Sequence, residues 1–94
     1  MENKVTSGDL VLSLTGRDKG NCFLVLDVEN DLVKIVDGKV HKIQKPKSKN
    51  KKHIKLILVA KYKEFADKIK IGQPVGNKRI YQIIKAEKEK LQED

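Results

Sequence analysis

The sequence predicts a mainly β domain, a small and partly open barrel followed by one or two α-helices. Three observations predict it. Short apolar runs recur between tight-turn residues over the first 60 positions. The hydrophobic period then changes from two residues to that of a helix. Only 38% of the 94 residues are apolar, with two Phe, two Tyr and no Trp, so aliphatic side chains must fill the modest core of one domain. Residues 1–60 are expected to form the barrel with a lysine-rich loop, and residues 61–94 a helical extension packed on it.

Residues 1–7 read as a short flexible lead-in. Residues 9–14 place Leu10, Leu12 and Leu14 on one face of a strand, with Val11 and Ser13 on the other. Gly16-Arg17-Asp18-Lys19-Gly20 follows as a five-residue turn with glycine at both shoulders. Residues 22–28 are apolar on both faces apart from Asp27, the pattern of a central strand covered on both sides. The pair reads as a β-hairpin. Glu29-Asn30-Asp31 breaks the pattern as a turn, and residues 32–36 make a third strand closed by the tight-turn pair Asp37-Gly38. Residues 40–44 continue extended, Pro46 argues against regular pairing beyond it, and residues 47–52 form a polar, mobile lysine loop. Residues 54–59 recover strand character. Five short strands joined by tight turns suit a barrel of the SH3-like kind better than a sandwich.

Tyr62, Phe65, Ala66 and Ile69 stand at i, i+3, i+4 and i+7, one face of a helix that Gly72 and Pro74 stop. Asn77 is the expected N-cap of a second helix carrying Ile80, Ile83, Ile84 and Leu91 on one side. Both stripes suit packing on the barrel.

Net charge is +8 and the isoelectric point lies near 9.6, which points to an anionic partner. The distribution is sharper than the total. Residues 38–63 hold ten lysines and no acid, whereas the rest of the chain holds 11 basic and 13 acidic residues. Lys39, Lys42, Lys45, Lys47, Lys49, Lys51, Lys52 and Lys55 form the dense part, suited to releasing counterions from a phosphate backbone. Its bland reading is a solvated loop. Blocks of one sign at this density more often serve as interaction segments, and no apolar stripe accompanies this one to enter a membrane. Arg17 and Lys19 crown the Gly16–Gly20 turn, where a guanidinium can grip a phosphate or base in bidentate fashion. Arg79, the only other arginine, reads as a surface residue.

Other chemistry finds little footing. No nucleophile elbow or P-loop is present, so no catalytic residue is assigned and the chain is read as a non-enzyme. His41 and His53 flank the lysine run but match no zinc spacing with Cys22, so no metal or cofactor is expected. His53 reads as stacking on RNA bases or as solvent-exposed. Cys22, the single cysteine, reads as a small buried hydrophobe in a reducing compartment. The N-terminal residues lack the apolar core of a secretory signal, and no apolar run is long enough to span a bilayer. The chain is therefore expected in the cytoplasm.

Gly8-Asp9-Leu10-Val11, then Gly16-Arg17-Asp18-Lys19-Gly20, then apolar residues through Val28 resemble a KOW motif, the short β-loop-β element of several ribosomal proteins and transcription elongation factors. The likeness continues through Val36-Asp37-Gly38 and the basic segment to about Val59, a little over half the chain. This extension is similar to the KOW-bearing proteins of the archaeal and eukaryotic large ribosomal subunit. Gly20 stands where the family's central glycine should be. The sequence departs from the pattern at Asn21-Cys22-Phe23, where many KOW motifs carry a second glycine. The resemblance implies an SH3-like fold, ribosomal RNA as partner, and possible contact with ribosomal proteins. Gly8, Gly16, Gly20 and Gly38 are then structural loop glycines. The expected function is non-catalytic binding of structured RNA backbone on or near the ribosome, by a protein that is monomeric off it. The competing expectation is a protein-interaction module docking on a ribosome or transcription component, with non-specific DNA binding a third.

Overall fold

The computed structural model describes residues 4–59, 61–73 and 76–92. Expectations for residues 1–3, for the stop at Pro74 and for the Leu91 side chain lie outside the described residues. Five strands form one antiparallel sheet: β1 (Leu10–Ser13), β2 (Cys22–Glu29), β3 (Leu32–Val36), β4 (Lys47–Asn50) and β5 (Ile54–Leu58). Two helices follow, α1 (Lys63–Lys70) and α2 (Asn77–Gln92). The strand order is β4-β3-β2-β1-β5.

The hairpin forms as its alternation dictates, with Leu10 opposite Leu24, Val11 opposite Phe23 and Leu12 opposite Cys22. β2 is the central strand, and its two faces feed two separate cores. Phe23 and Val25 pack with Val5, Val11, Val33, Ile35 and Ile54 on one side. Cys22, Leu24 and Leu26 pack with Leu10, Val36, Ile80 and Ile84 on the other. Val5 is buried in the first of these cores, so residues 4–7 of the expected flexible lead-in are packed on the sheet. The amide of Thr6 donates to Asp9 Oδ2 at 2.8 Å and fixes the entry into β1.

β4 and β5 lie at opposite edges of the sheet, yet a single 3₁₀ turn, Lys51–His53, joins them. Three residues at about 2 Å of rise each cannot bridge a flat five-stranded sheet, so the sheet must curl until its edges approach. Register shifts between Val25 and Asp27 and between Leu10 and Val11 supply bends of the kind this requires.

Two local expectations are corrected. Residues 40–44 are not extended: Asp37 Oδ1 accepts from the amides of Lys39, Val40 and His41 at 2.8–3.0 Å and folds the chain back on itself. Residues 47–52 are not a loop: Lys47–Asn50 pairs with β3, with Val33 opposite Lys49, and the 3₁₀ turn follows. Pro46 precedes the strand, so its missing N–H takes nothing from the ladder.

The helices cover the second core. Tyr62, Phe65 and Ile69 pack against it, and Ala66 is fully buried. Ile80, Ile83 and Ile84 form the buried stripe of α2. Glu87 joins the two helices, since its buried carboxylate accepts from the Tyr62 hydroxyl and from Lys61 Nζ, the latter at 2.7 Å. Those hydrogen bonds hold Glu87 below the usual carboxylate range. Burial, reinforced by Glu87, pushes the Tyr62 hydroxyl up to about 12.

Two glycines are fixed by close approach. A Cβ on Gly8, at φ +92°, would stand 2.3 Å from the Lys63 backbone, and one on Gly38, at φ +79°, would stand 2.1 Å from the Asn77 carbonyl oxygen. Each lets a loop lie against the start of a helix. Asn77 does not act as the expected cap. It is the first helical residue, the Gly76 carbonyl takes the first helical bonds, and Asn77 Oδ1 accepts from the Ile43 amide at 2.7 Å. Its side chain therefore ties α2 to the 38–44 segment.

Candidate nucleic-acid interface

The loop between β1 and β2 is held shut by its own backbone. Gly20 N–H donates to the Ser13 carbonyl at 2.8 Å, Ser13 N–H to Asn21 at 2.9 Å, and Asn21 N–H to Asp18 at 3.0 Å. Gly16 and Gly20 both take positive φ, as glycine shoulders must. Arg17 and Lys19 are exposed at the tip, where the sequence places them.

Asp18 lies elsewhere. Its side chain turns inward and is buried, with Oδ1 accepting from Ser13 Oγ at 2.8 Å and from Lys49 Nζ at 2.7 Å. Lys49 also donates to the Thr15 carbonyl at 2.8 Å. It sits on the edge strand β4, on the face it shares with buried Val33, and reaches across the curled sheet to the loop beyond β1. Burial alone would raise the Asp18 carboxyl. The hydrogen bonds from Lys49 and Ser13, with the charge of Lys49, overcome that and hold it below its ordinary range. His41 approaches the other oxygen, with Nε2 4.0 Å from Asp18 Oδ2, while its ring lies 5.8 Å from that of Phe23.

The outcome is a charge separation in depth. The single acid of the loop is drawn inside and paired, and its two cations face outward. Lys49, expected as an exposed contact, is a buried structural partner, only 8% exposed. A lysine can be buried in this way only when paired and hydrogen-bonded. The other lysines of the segment divide by position. Lys39, Lys42 and Lys45 lie exposed on the connection between β3 and β4, Lys47 on β4, Lys52 on the 3₁₀ turn and Lys55 on β5. Lys51 and His53 are half-buried in that turn, and the His53 carbonyl accepts from the Leu14 amide at 2.9 Å. Lys55 and Gly20 line one depression beside the loop, whereas Lys39 and Lys42 line another against α2.

Sequence reasoning missed the anchoring role of Ser13 and Asp18, and the basic residues of α2 that border both depressions. The anchor carries no local signal, because Asp18 and Lys49 are 31 residues apart. The α2 residues do carry one, in the spacing of Lys78, Tyr81, Lys85 and Lys88 beside the isoleucine stripe.

Cys22 is a free, buried thiol raised by that burial, as expected of a core residue. Among the described residues no three His, Cys, Asp or Glu side chains converge as a metal site would require, and no helix is long and apolar enough to cross a membrane. Compared with known proteins, the chain matches no family model, and no curated protein is significantly similar to it.

Proposed function

We propose that the chain is a non-catalytic RNA-binding protein, working on or near the ribosome in the cytoplasm, that grips structured RNA by its backbone through the Gly16–Gly20 loop and the lysine-rich segment. The observation that carries the reading is the inward pairing of Asp18 with Lys49, which leaves Arg17 and Lys19 as an all-basic tip on a hydrogen-bonded hairpin. Such a tip binds phosphates without ordering a flexible loop first. The finer fold reading, a partly open SH3-like barrel carrying a KOW motif, belongs to the same proposal. It is supported by the three-residue link between the two edge strands and by the ion pair that crosses from β4 to the β1–β2 loop.

The test is binding of purified protein to structured ribosomal RNA. Arg17→Ala is expected to weaken binding by about 1.5–3 kcal/mol, the range for a hydrogen bond to a charged group. Arg79→Ala, exposed on α2, is expected to cost less, and neither should shift the melting temperature. Equal losses would remove Arg17 from the interface. Binding to protein components of the ribosome with no affinity for RNA would replace this reading with the protein-interaction module.

A further inference from the structure

A groove runs along α2, outside the loop to which RNA binding is assigned above. One wall is the helix, which presents Lys78, Tyr81, Lys85 and Lys88. These stand at i, i+3, i+7 and i+10, so they form one stripe about 15 Å long beside the buried isoleucines. The opposite wall is the 38–42 turn, which contributes Lys39 and Lys42. That turn is clamped to the helix by the tight approach of Gly38 to Asn77 and by the Asn77–Ile43 hydrogen bond. Lys88 continues the stripe toward Gly20 and Lys55, so the groove leads to the hairpin loop.

The groove's chemistry is uneven in a telling way. None of these lysines takes part in a salt bridge among the described residues. The one acid on its wall, Asp37, has an oxygen committed to three backbone amides. In the middle of the lysines stands Tyr81, 39% exposed, with Lys39 Nζ 5.5 Å from its ring centroid. A part-exposed aromatic ring with one ammonium over it and others around it is an arrangement that holds an unpaired nucleotide, the Lys39 ammonium giving way to the base. The base stacks on the ring and the flanking phosphates meet the ammonium groups. An acidic peptide would use the lysines and leave the ring idle. A duplex would do the same, since its bases are already stacked.

We propose that this groove is a second RNA-binding surface, one that takes an unpaired base on Tyr81 with its neighbouring phosphates on Lys78, Lys85 and Lys88. The inference rests on the RNA-binding reading and deepens it: the hairpin loop holds structured backbone, and the groove holds a single-stranded segment leading away from it.

The experiment compares a fully paired RNA hairpin with the same hairpin bearing a single-stranded extension. Wild type is expected to bind the extended RNA more tightly. Tyr81→Ala is expected to weaken binding of the extended RNA by about 5- to 150-fold, the range for loss of one base–aromatic stack, and to leave the hairpin unaffected. Tyr81→Phe should retain affinity. Tyr81→Trp should retain it too, and because the chain holds no other Trp, its emission should be quenched by the extended RNA alone. Circular dichroism of each variant checks that the fold is kept. Unchanged affinity in Tyr81→Ala, or an equal loss for both RNAs, would overturn the groove assignment. If Arg17→Ala still weakens hairpin binding in that case, the primary reading survives. If wild type binds neither RNA, both fall together.

Discussion

Lys49 and Arg17 show how differently two basic side chains of one molecule are used. Lys49 is spent inside, neutralising Asp18 and bonding Thr15, while Arg17 stays in water. Removing one member of a buried pair strands the other charge, so Lys49→Met is expected to cost about 3–5 kcal/mol of stability. Lys47→Gln and Lys52→Gln, at exposed positions, should stay within about 0.5 kcal/mol of wild type. Denaturant melts of the three variants measure this, and equal stabilities would mean that the ion pair does not hold the loop. The contrast corrects the expectation that Lys49 belongs, with Lys47, Lys51 and Lys52, to a polar, mobile loop. Nothing in Lys47-Ser48-Lys49-Asn50 marks the third residue as buried, because its partner is supplied by a distant turn.

At the scale of elements, the same difference decides what was legible. The hairpin and both helices follow from hydrophobic period alone, since Leu10, Phe23, Leu24 and Ile80 each bury the side that their spacing predicts. β4 does not, because it contains no apolar residue to alternate and exists through backbone pairing with β3. The 38–44 turn did carry a local signal in the Asp37-Gly38 pair, since Asp37 collects amides only two to four residues ahead, but its extent did not, because Ile43 is held by Asn77, 34 residues away. Of the candidate site, the outward Arg17 and Lys19 were legible from the glycine-shouldered turn, but their supporting Ser13–Asp18–Lys49 network was not. The docking of α2 yields two expectations. Ile80→Ala removes a fully buried side chain between helix and sheet and should cost about 2–5 kcal/mol. Gly38→Ala must displace backbone at the start of α2, so it should destabilise the domain although the new methyl group is small. Thermal melts report both, and a Gly38→Ala protein as stable as wild type would contradict the tight loop–helix contact.

Taken whole, the molecule buries the paired carboxylates of Asp18 and Glu87 and leaves most of its lysines outside, and pH and salt therefore act on different properties. Asp18 and Glu87 are both held below their ordinary values. A group depressed in the folded state contributes stability above its unfolded value and loses it as pH falls through the folded one. Stability is therefore expected to hold from neutral pH down to the ordinary carboxylate range and to decline below it. Asp18→Asn and Glu87→Gln should each lower stability at neutral pH and flatten the acid limb, as thermal melts against pH would show. Salt should act on binding instead. The measurement that tests the account most directly is the affinity for structured ribosomal RNA as a function of salt concentration, in wild type and in an Arg17→Ala/Lys19→Ala variant. If the tip and the lysine segment together neutralise about four to six phosphates, log affinity should fall against log salt with a slope of roughly −3 to −5, and the double variant should lose about one to two of that slope. A flat wild-type curve, or a slope that the double variant leaves unchanged, would contradict phosphate recognition by this loop.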